Sequence, residues 1–417
     1  MSLDLLAAGL PAGSAGSSPT TPWTGPAAYW PGRTSAVADL PAPVATIDVD
    51  ALRYNALDLV VRASGVPIRV ASKSIRVRGV LDATLALAGY RGILAFTLAE
   101  ALWLAETHDD IVLGYPTADR ATLARLIADE RATARITLMV DDLSQLDLVD
   151  AVAVPASRAE VRVAIDADAS WRAPVLGHVG VRRSPVHDAA EVARLARAIA
   201  RRPGFRLVGL MMYEAQIAGQ PDDAGPGAAV VRWVQHRSAQ ELLDRRGAIV
   251  AALREIAPLE FVNGGGTGSL ESTSSDLAVT EMTAGSGLLA GHLFDGYRAF
   301  APAPAAAFAL DVVRKPAADI VTVLGGGWIA SGPSTGSRRP LPVWPAGLHL
   351  LRREGAGEVQ TPLRGAAARA LGVGDRVWFR HAKSGELADR TDRYHLTSDD
   401  RVVGEATTYR GEGKTFL

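Results

Sequence analysis

Short apolar, β-branched runs alternate along the first 300 residues with longer segments whose apolar residues recur at helical spacing. The runs predicted as strands are 44–49, 68–72, 92–96, 110–114, 136–140, 161–166, 207–212 and 259–263, with a further run at 278–283. The segments predicted as helices include 50–64, 98–108 and 189–202, and Asp50 is the predicted N-cap of the first. This alternation is typical of βα units around a parallel sheet.

Eight such units in about 250 residues favour a (β/α)8 TIM-type barrel, with an open doubly wound sheet as the alternative because sequence does not give strand order. After Ala301, β-branched and aromatic runs separated by Gly and Pro turns predict an antiparallel β domain. We therefore expect an N-terminal extension (1–40), a barrel (41–300) and a β domain (301–417). Part of the extension is expected to be disordered, whereas Trp23 and Trp30 suggest that some of it packs on the folded body.

Composition narrows the function classes. Hydrophobic residues make up 48% of the 417 and charged residues 21%, which is ordinary for a globular protein. The net charge of −1 gives no electrostatic case for a nucleic-acid or membrane-surface partner. There is no cysteine, and hence no disulfide, thiolate nucleophile or cysteine-bound metal. No apolar run reaches the roughly 20 residues of a membrane span, and no basic residues precede the first apolar run, so we expect a cytoplasmic protein.

Lysine is scarce in this chain, and one lysine stands at a strand end. Of 44 basic residues, only Lys73, Lys315, Lys383 and Lys414 are lysines, and Lys73 closes the predicted strand 68–72. In α/β barrels, catalytic groups sit at the C-terminal ends of strands. A partly desolvated lysine there favours its neutral form, which is the nucleophile that forms a Schiff base. A surface lysine is the alternative interpretation, which the scarcity and the placement disfavour.

A glycine-rich loop follows the strand at 259–263. The sequence FVNGGGTGSLES (261–272) lacks the spacing of a Rossmann or P-loop motif, but its glycines let backbone N–H groups approach an anion closely. A phosphate site is expected after the last strands of a barrel. The stretch TEMTAGSG (280–287) adds a second small-residue turn. A lysine amine and a phosphate cradle on one barrel point to pyridoxal 5′-phosphate, which needs one covalent and one anionic anchor.

These residues also resemble a known family. PVATIDVDALRYN, a lysine about 25 residues on, Tyr213-Glu214, GGGTGS and TEMTAGSG occur in the order found in fold-type III pyridoxal-phosphate enzymes, the alanine racemase superfamily. The branch that the chain resembles is that of D-threonine aldolase and D-serine dehydratase, from about Pro41 to the C-terminus. The resemblance implies a homodimer in which the β domain of one subunit closes the active site of the other.

The resemblance also implies roles for individual residues. Lys73 would carry the cofactor as a Schiff base, and Tyr213 would lie beside the pyridine ring. An arginine from the long loop after strand 161–166 would contact the cofactor, either Arg182 or Arg183, with Arg172 the weaker candidate. The residues implied in phosphate binding are Gly265, Gly266, Thr267, Gly268, Gly285 and Ser286.

One position departs from the family pattern. In metal-dependent members, a histidine and an Asp or Cys two residues on bind a divalent ion, whereas this chain reads RHAKSGE, with His381 followed by Lys383. A protonated amine is a poor metal ligand. Either His381 assists a metal, with Glu386 or His395 completing the site, or the site is metal-free and His381 or Lys383 handles protons. The remaining alternative is that His381 is an ordinary strand histidine that faces solvent.

The sequence thus favours a pyridoxal-phosphate lyase that cleaves or dehydrates a D-configured β-hydroxy amino acid. An amino-acid racemase of the same fold is the first alternative, because Lys383 replaces the usual metal ligand and a racemase needs only two proton-transfer groups. A non-catalytic cofactor-binding protein is disfavoured by the β domain. The fourth interpretation is an unrelated barrel enzyme that binds another phosphorylated ligand.

Overall fold

The computed structural model describes residues 3–5, 21–383 and 385–417. The strands are β1 (Val44–Asp48), β2 (Ile68–Ala71), β3 (Tyr90–Ala95), β4 (Ile111–Leu113), β5 (Ile136–Val140), β6 (Val161–Asp166), β7 (Trp171–Ala173), β8 (Gly177–Val179), β9 (Phe205–Met212), β10 (Phe261–Gly264), β11 (Glu281–Ala284), β12 (Ala306–Ala317), β13 (Ile320–Leu324), β14 (Leu341–Trp344), β15 (His349–Leu350), β16 (Gln360–Arg364), β17 (Arg376–Arg380), β18 (Arg393–Ser398) and β19 (Arg401–Thr407). The α-helices are α1 (Pro26–Ala36), α2 (Val49–Arg62), α3 (Arg78–Leu85), α4 (Leu98–Leu104), α5 (Arg120–Ala128), α6 (Glu130–Arg135), α7 (Leu143–Val152), α8 (Ala189–Ala200), α9 (Ala215–Ala218), α10 (Ala228–Arg254), α11 (Leu270–Ser274) and α12 (Ser286–Leu289).

Eight parallel strands close into a barrel in the order β10-β11-β2-β3-β4-β5-β6-β9, which confirms the predicted (β/α)8 architecture. These strands belong to one compact unit, here called the barrel unit (Leu59–Lys73, Ala88–Gly285 and Phe416–Leu417). One apolar core cluster of the barrel strands includes Met139, Met211 and Phe261. Gly209 makes room for this cluster, because a Cβ there would lie 2.3 Å from the Phe261 ring.

The strand predicted over 44–49 exists, but its assignment to the barrel is wrong. β1 pairs antiparallel with β12 and parallel with β18, in the sheet of the second compact unit. All five of its residues are buried, so its hydrophobic pattern matches that of a barrel strand. The run at 278–283 instead provides the eighth barrel strand, β11. The division of the chain at residues 40 and 300 stays a prediction in its boundaries.

The first long helix begins one residue earlier than predicted and is capped by a different aspartate. The Asp48 Oδ1 accepts hydrogen bonds from the backbone N–H groups of Asp50 (3.0 Å) and Ala51 (3.1 Å). Asp50 therefore lies in the first turn of α2 and is not its cap. The same Asp48 carboxylate accepts from Tyr29 Oη at 2.8 Å and pairs with Arg33 at 2.9 Å.

The second compact unit, here called the sheet unit (Met1–Asp58, Ser74–Leu87 and Ser286–Thr415), contains a nine-stranded sheet that is antiparallel except at the pairing of β1 with β18. This confirms the predicted β domain. Tyr29 and Trp30 of α1 are buried against Val44, and the Trp30 ring lies 5.5 Å from that of Trp378. Part of the N-terminal extension therefore packs on this sheet, as expected from its tryptophans. The expected disorder of part of residues 1–40 stays a prediction, because residues 1–2 and 6–20 lie outside the described range.

Two features were not predicted. The loop after β6 contains a hairpin, β7–β8, and α10 runs for 27 residues. Both belong to the barrel unit. Within the described residues, no helix combines the length and the apolar character required to cross a membrane.

Candidate active site

Lys73 lies in a short 3-10 turn directly after β2, at the C-terminal end of a barrel strand. Its side chain is half-buried, and the Nζ donates a hydrogen bond to Tyr115 Oη at 2.8 Å. Tyr115 follows β4 by two residues, so its side chain comes from the same end of the barrel. The sequence analysis missed Tyr115, although an aromatic residue directly after the predicted strand 110–114 was the available signal.

Arg183 lies beside Tyr115, the hydrogen-bond partner of this lysine, and beside Tyr213. The Arg183 guanidinium carbon is 5.9 Å from the centre of the Tyr115 ring and 5.7 Å from that of Tyr213. Arg172 instead approaches Asp168, at 3.9 Å. Among the three candidate arginines, the geometry therefore favours Arg183. Burial raises the pKa of Tyr213 to about 12, so its phenol stays protonated and acts as a donor near neutral pH.

The glycine loop starts at Gly265, immediately after β10. Gly265 has a φ of +79°, a conformation that glycine adopts without strain. At Gly266 a Cβ would lie 2.9 Å from the Ala218 Cβ and 3.3 Å from the Tyr213 ring. The Gly266 N–H donates to Ser269 Oγ at 3.1 Å. The loop is therefore closely packed, and it adjoins the tyrosine that the sequence indicated.

The Glu214 carboxylate holds the first residue of this loop. Its carboxylate accepts from the Gly265 N–H at 3.0 Å and lies 3.2 Å from the Arg246 guanidinium. Arg246 in turn pairs with Asp276 at 2.7 Å and donates to the Met212 carbonyl oxygen at 3.1 Å. Glu214 and Arg246 are almost fully buried, so the Glu214 charge depends on Arg246 for compensation and the Arg246 charge on Glu214 and Asp276. One ionic network therefore holds the start of the glycine loop and Glu214, the residue that follows Tyr213.

The small-residue turn after β11 divides between the two units. Gly285 ends the barrel unit, and Ser286 begins both α12 and the next segment of the sheet unit. In the sheet unit, Ser286 Oγ lies 3.0 Å from Ser74 Oγ, and Ser74 follows Lys73 in the chain. The phosphate-binding roles implied for Gly265, Gly266, Thr267, Gly268, Gly285 and Ser286 stay predictions.

Two aspartates lie at the ends of neighbouring barrel strands. Asp166 is the last residue of β6, and Asp141 directly follows β5. Burial, together with the charge of Asp141, raises the pKa of Asp166 to about 7, although the Arg183 charge acts in the opposite direction. Burial also raises the pKa of Asp141. A carboxylic acid that keeps its proton up to neutral pH is characteristic of functional sites.

This pair makes the stability of the cofactor-free protein depend on pH. Asp166 keeps its proton in the folded chain up to about pH 7, whereas the unfolded chain releases it near its ordinary value of 3.8. The stability that Asp166 contributes is therefore fully present below about pH 4 and is lost as the pH rises through about 7. Asp166→Asn should remove this loss. The unfolding free energy of the variant, relative to that of the wild type, should therefore rise by on the order of 2 kcal/mol between pH 5 and pH 8.

Urea unfolding at the two pH values measures this gain. Asp142→Asn is the matched control, because hydrogen bonds from Ser144 lower the pKa of that exposed carboxylate. The unfolding free energy of Asp142→Asn, relative to that of the wild type, should not rise between pH 5 and pH 8. Equal pH dependence of wild-type and Asp166→Asn protein would contradict the assignment.

His381 and Lys383 lie in the sheet unit, at the end of β17. His381 is not a solvent-facing strand residue, since only 1% of it is exposed. Burial lowers the pKa of its imidazole to about 4, so the ring is neutral at physiological pH. The backbone N–H groups of Ala382 and Lys383 both donate to Glu386 Oε1, at 3.0 and 2.8 Å. Glu386 therefore holds the turn that carries Lys383.

Comparison with known proteins identifies the family. The family model of the alanine racemase N-terminal domain matches residues 47–286, more than half of the chain. The chain belongs to this family. The resemblance seen in the sequence is therefore confirmed, and the family implies pyridoxal 5′-phosphate as cofactor.

Several named members of related enzyme groups are similar to this chain. 3-Hydroxy-D-aspartate aldolase from Paracoccus denitrificans is 26% identical over 253 residues, which is 60% of each chain. D-threonine aldolase from Arthrobacter sp is 29% identical over 312 residues, 71% of this chain and 74% of the other. Among solved structures, D-threonine aldolase from Filomicrobium marinum aligns with a TM-score of 0.74 at 19% identity, covering 91% of this chain and 97% of the other. D-threo-3-hydroxyaspartate dehydratase from Delftia sp. HT23 aligns with a TM-score of 0.70 at 21% identity, covering 89% and 98%. These structures share the fold of this alanine-racemase-family chain.

The barrel unit of this alanine-racemase-family chain fits pyridoxal phosphate. It offers an amine at a strand end in Lys73 and a cationic group beside two tyrosines in Arg183. It also offers a loop whose tight turn requires glycine at Gly265 and leaves no room for a side chain at Gly266. Together these would supply a covalent anchor and a narrow backbone approach for the anion.

A divalent metal is less well matched. Within residues 3–5, 21–383 and 385–417, no three His, Cys, Asp or Glu side chains are grouped so that they could hold a metal ion. His381, and Glu386 or His395 as its substitute partners, therefore do not form a ligand set in the described chain. The metal role of His381 stays a prediction, and no step below depends on it.

Proposed function

We propose that this protein is a pyridoxal-phosphate-dependent lyase that acts on a D-configured β-hydroxy amino acid, by retro-aldol cleavage or by dehydration. The observation that carries the proposal is the hydrogen bond between Lys73 Nζ and Tyr115 Oη at a barrel mouth. It is supported by similarity to enzymes named as aldolases of D-threonine and of 3-hydroxy-D-aspartate.

Pyridoxal phosphate, when bound, supplies an electron sink that stabilises negative charge at the substrate α-carbon. Lys73 would hold it through the amine and, once the substrate has displaced that amine, would be free to move a proton. Tyr115 Oη accepts a hydrogen bond from Lys73 Nζ over 2.8 Å, so the two groups form a proton-transfer pair. Arg183 places positive charge between Tyr115 and Tyr213, where an anionic oxygen would be stabilised.

Arg183 should therefore contribute to cofactor affinity. Arg183→Ala should raise the dissociation constant of pyridoxal phosphate by about 10- to 100-fold, the equivalent of one lost charge-assisted hydrogen bond. Arg182→Ala is the matched control, since it removes the neighbouring arginine, which is exposed like Arg183, and should leave the constant within about threefold. An absorbance titration of cofactor into the cofactor-free proteins measures both. Equal losses in the two variants would contradict the assignment of Arg183.

Product analysis distinguishes the reactions. Incubation with D-threonine and with D-3-hydroxyaspartate should yield glycine and an aldehyde if the chain cleaves the Cα–Cβ bond, or ammonia and a 2-oxo acid if it eliminates the hydroxyl. The proposal expects one of these pairs from a D substrate and none from its L counterpart. Appearance of the epimer inverted at the α-carbon alone, such as L-allo-threonine from D-threonine, would instead show a racemase, and no reaction with any β-hydroxy amino acid would contradict the proposal.

Assembly and location belong to the same proposal. The family resemblance implies a homodimer, and the sequence favours the cytoplasm. Light scattering of the purified protein, which should give twice the 43.7 kDa chain mass, tests the first of these.

A further inference from the structure

The loop that carries Arg183 is tied at both of its ends to a single side chain. This loop connects β6 to α8 over residues 168–187 and is here called the arginine loop. Arg245 of α10 donates from Nη1 to the carbonyl oxygen of Asp168 at 2.7 Å and to that of His187 at 3.1 Å. These are the first and last residues of the loop. One guanidinium therefore bridges its two ends.

The Arg245 guanidinium has every donor engaged. Nη2 donates to the carbonyl oxygen of Ser170, inside the arginine loop, at 2.9 Å and to Glu241 Oε2 at 3.1 Å. Nε donates to Glu241 Oε1 at 2.6 Å. A guanidinium has five N–H donors in a rigid planar fork, and three carbonyl oxygens and one carboxylate use all of them. The orientation of this group is therefore fixed, and only 10% of the side chain is exposed.

Further contacts inside the arginine loop lead from its base toward Arg183. Ser170 donates from its backbone N–H and from Oγ to the Asp168 carboxylate, at 2.9 and 2.7 Å. Gly180 packs so closely on Ser170 that a Cβ at position 180 would lie 2.6 Å from the Ser170 Cβ. Ser184, which follows Arg183, donates from Oγ to the carbonyl oxygen of the last residue of β6 at 2.7 Å. The backbone of Arg183 is thus set by a loop that Arg245 closes at its base.

The next residue of α10 supports the other loop of the candidate site. Arg246 lies 3.2 Å from the Glu214 carboxylate, which accepts from the Gly265 N–H at the start of the glycine loop. Consecutive residues of a helix point about 100° apart, so Arg245 and Arg246 reach different loops. One turn of α10 therefore supports both the arginine loop and the glycine loop.

We propose that Arg245 is a positioning residue of the candidate active site, which holds the arginine loop so that the Arg183 guanidinium stays beside Tyr115 and Tyr213. The Arg183 guanidinium carbon lies 5.9 and 5.7 Å from the centres of these two rings. Arg183 is an exposed, long side chain, so a fixed backbone reduces the conformational freedom that binding must remove. The inference rests on the contact of Arg183 with the cofactor proposed above.

A double-mutant cycle on cofactor affinity tests this role. Arg245→Met keeps the aliphatic stem and removes all the donors, and it should raise the dissociation constant of pyridoxal phosphate by about 10-fold. In an Arg183→Ala background, the same change should raise the constant by less than about twofold, because the group to be positioned is gone. Absorbance titration of cofactor into the full-length, cofactor-free proteins measures all four constants.

Limited proteolysis reports on the arginine loop without the cofactor. Trypsin cuts after arginine, and Arg172 and Arg182 are exposed residues of the loop. Arg245→Met should increase the rate of cleavage after these residues by about 10-fold, because a loop released at its base opens more often. Mass spectrometry of the first fragments identifies the cleaved bonds.

Arg158→Met is the matched control. Arg158 also donates to three backbone carbonyl oxygens and pairs with an aspartate, but it lies before β6 and β9, at the other ends of the barrel strands; its partners are Ala153, Ala159, Gly204 and Asp150. Its replacement should leave the cofactor constant within about twofold and the cleavage of the arginine loop unchanged.

Arg245→Lys carries the test if Arg245→Met fails to fold. Lysine keeps the charge but has only one nitrogen, so this variant should lose most of the affinity that Arg245→Met loses. Unchanged cofactor affinity, unchanged cleavage of the loop, or a full loss of affinity from Arg245→Met in the Arg183→Ala background would each overturn the positioning role alone. Unchanged affinity in Arg183→Ala by itself would instead show that the proposed contact of Arg183 with the cofactor is wrong, and the positioning role would fall with it.

Discussion

Replacing Lys73 by alanine should lower lyase turnover by several orders of magnitude, because the proposed covalent anchor and one half of the proposed proton-transfer pair with Tyr115 would disappear together. Lys73→Arg should be as inactive as Lys73→Ala. Arginine keeps the positive charge and a donor for Tyr115, but it does not lose its proton and attack a carbonyl carbon. Steady-state kinetics with the best D substrate measure the loss.

The chain offers a matched control for this prediction. Lys315 Nζ donates to the backbone carbonyl oxygens of Arg369 and Leu371, in the sheet unit. Lys315→Ala should therefore keep the turnover of the wild type. A Lys73→Arg variant that retains most of its activity would show that charge, and not nucleophilic attachment, is what Lys73 contributes.

The largest effect on stability is expected at Glu214. Glu214→Ala leaves Arg246 with Asp276 as its remaining acidic partner and removes the acceptor of the Gly265 N–H. Breaking a buried ion pair by removing one partner costs about 3–5 kcal/mol. Urea unfolding should show this loss, and the cofactor affinity should fall with it because the glycine loop is no longer held.

Two further variants make this result specific. Glu214→Gln keeps an acceptor for the Gly265 N–H but loses the charge opposite Arg246, so its cofactor affinity should fall less than that of Glu214→Ala. Glu255→Ala removes an exposed carboxylate at the end of α10 and should change stability by at most about 0.5 kcal/mol. A Glu214→Ala protein as stable as Glu255→Ala would contradict the structural role of the network.

The barrel strands could be predicted because each is a short apolar run bounded by polar segments. The same signal misplaced β1, since its five buried residues have no feature that separates a barrel strand from a central strand of another sheet. What decides its place is pairing with β12 and β18, whose residues lie more than 250 positions further along the chain. Such pairings leave no local pattern in a single sequence.

The candidate site, like the fold, could be predicted only in part. The placement of Lys73 and the glycine loop after barrel strands could be predicted because their residue types are unusual for their positions and because strand ends meet at one end of a barrel, whereas their roles stay proposals. The choice between Arg182 and Arg183 could not, since neighbouring residues in a loop point in different directions. Tyr115, Asp166 and Arg246 were missed because their importance comes from contacts with residues distant in sequence.

The most direct test of the central claim is borohydride reduction of the cofactor-loaded protein, followed by peptide mapping with mass spectrometry. The account predicts that the reduced cofactor mass is found on the peptide that contains Lys73, and that Lys73→Ala yields no such peptide. The mass on Lys315, Lys383 or Lys414, or on no peptide at all, would contradict it.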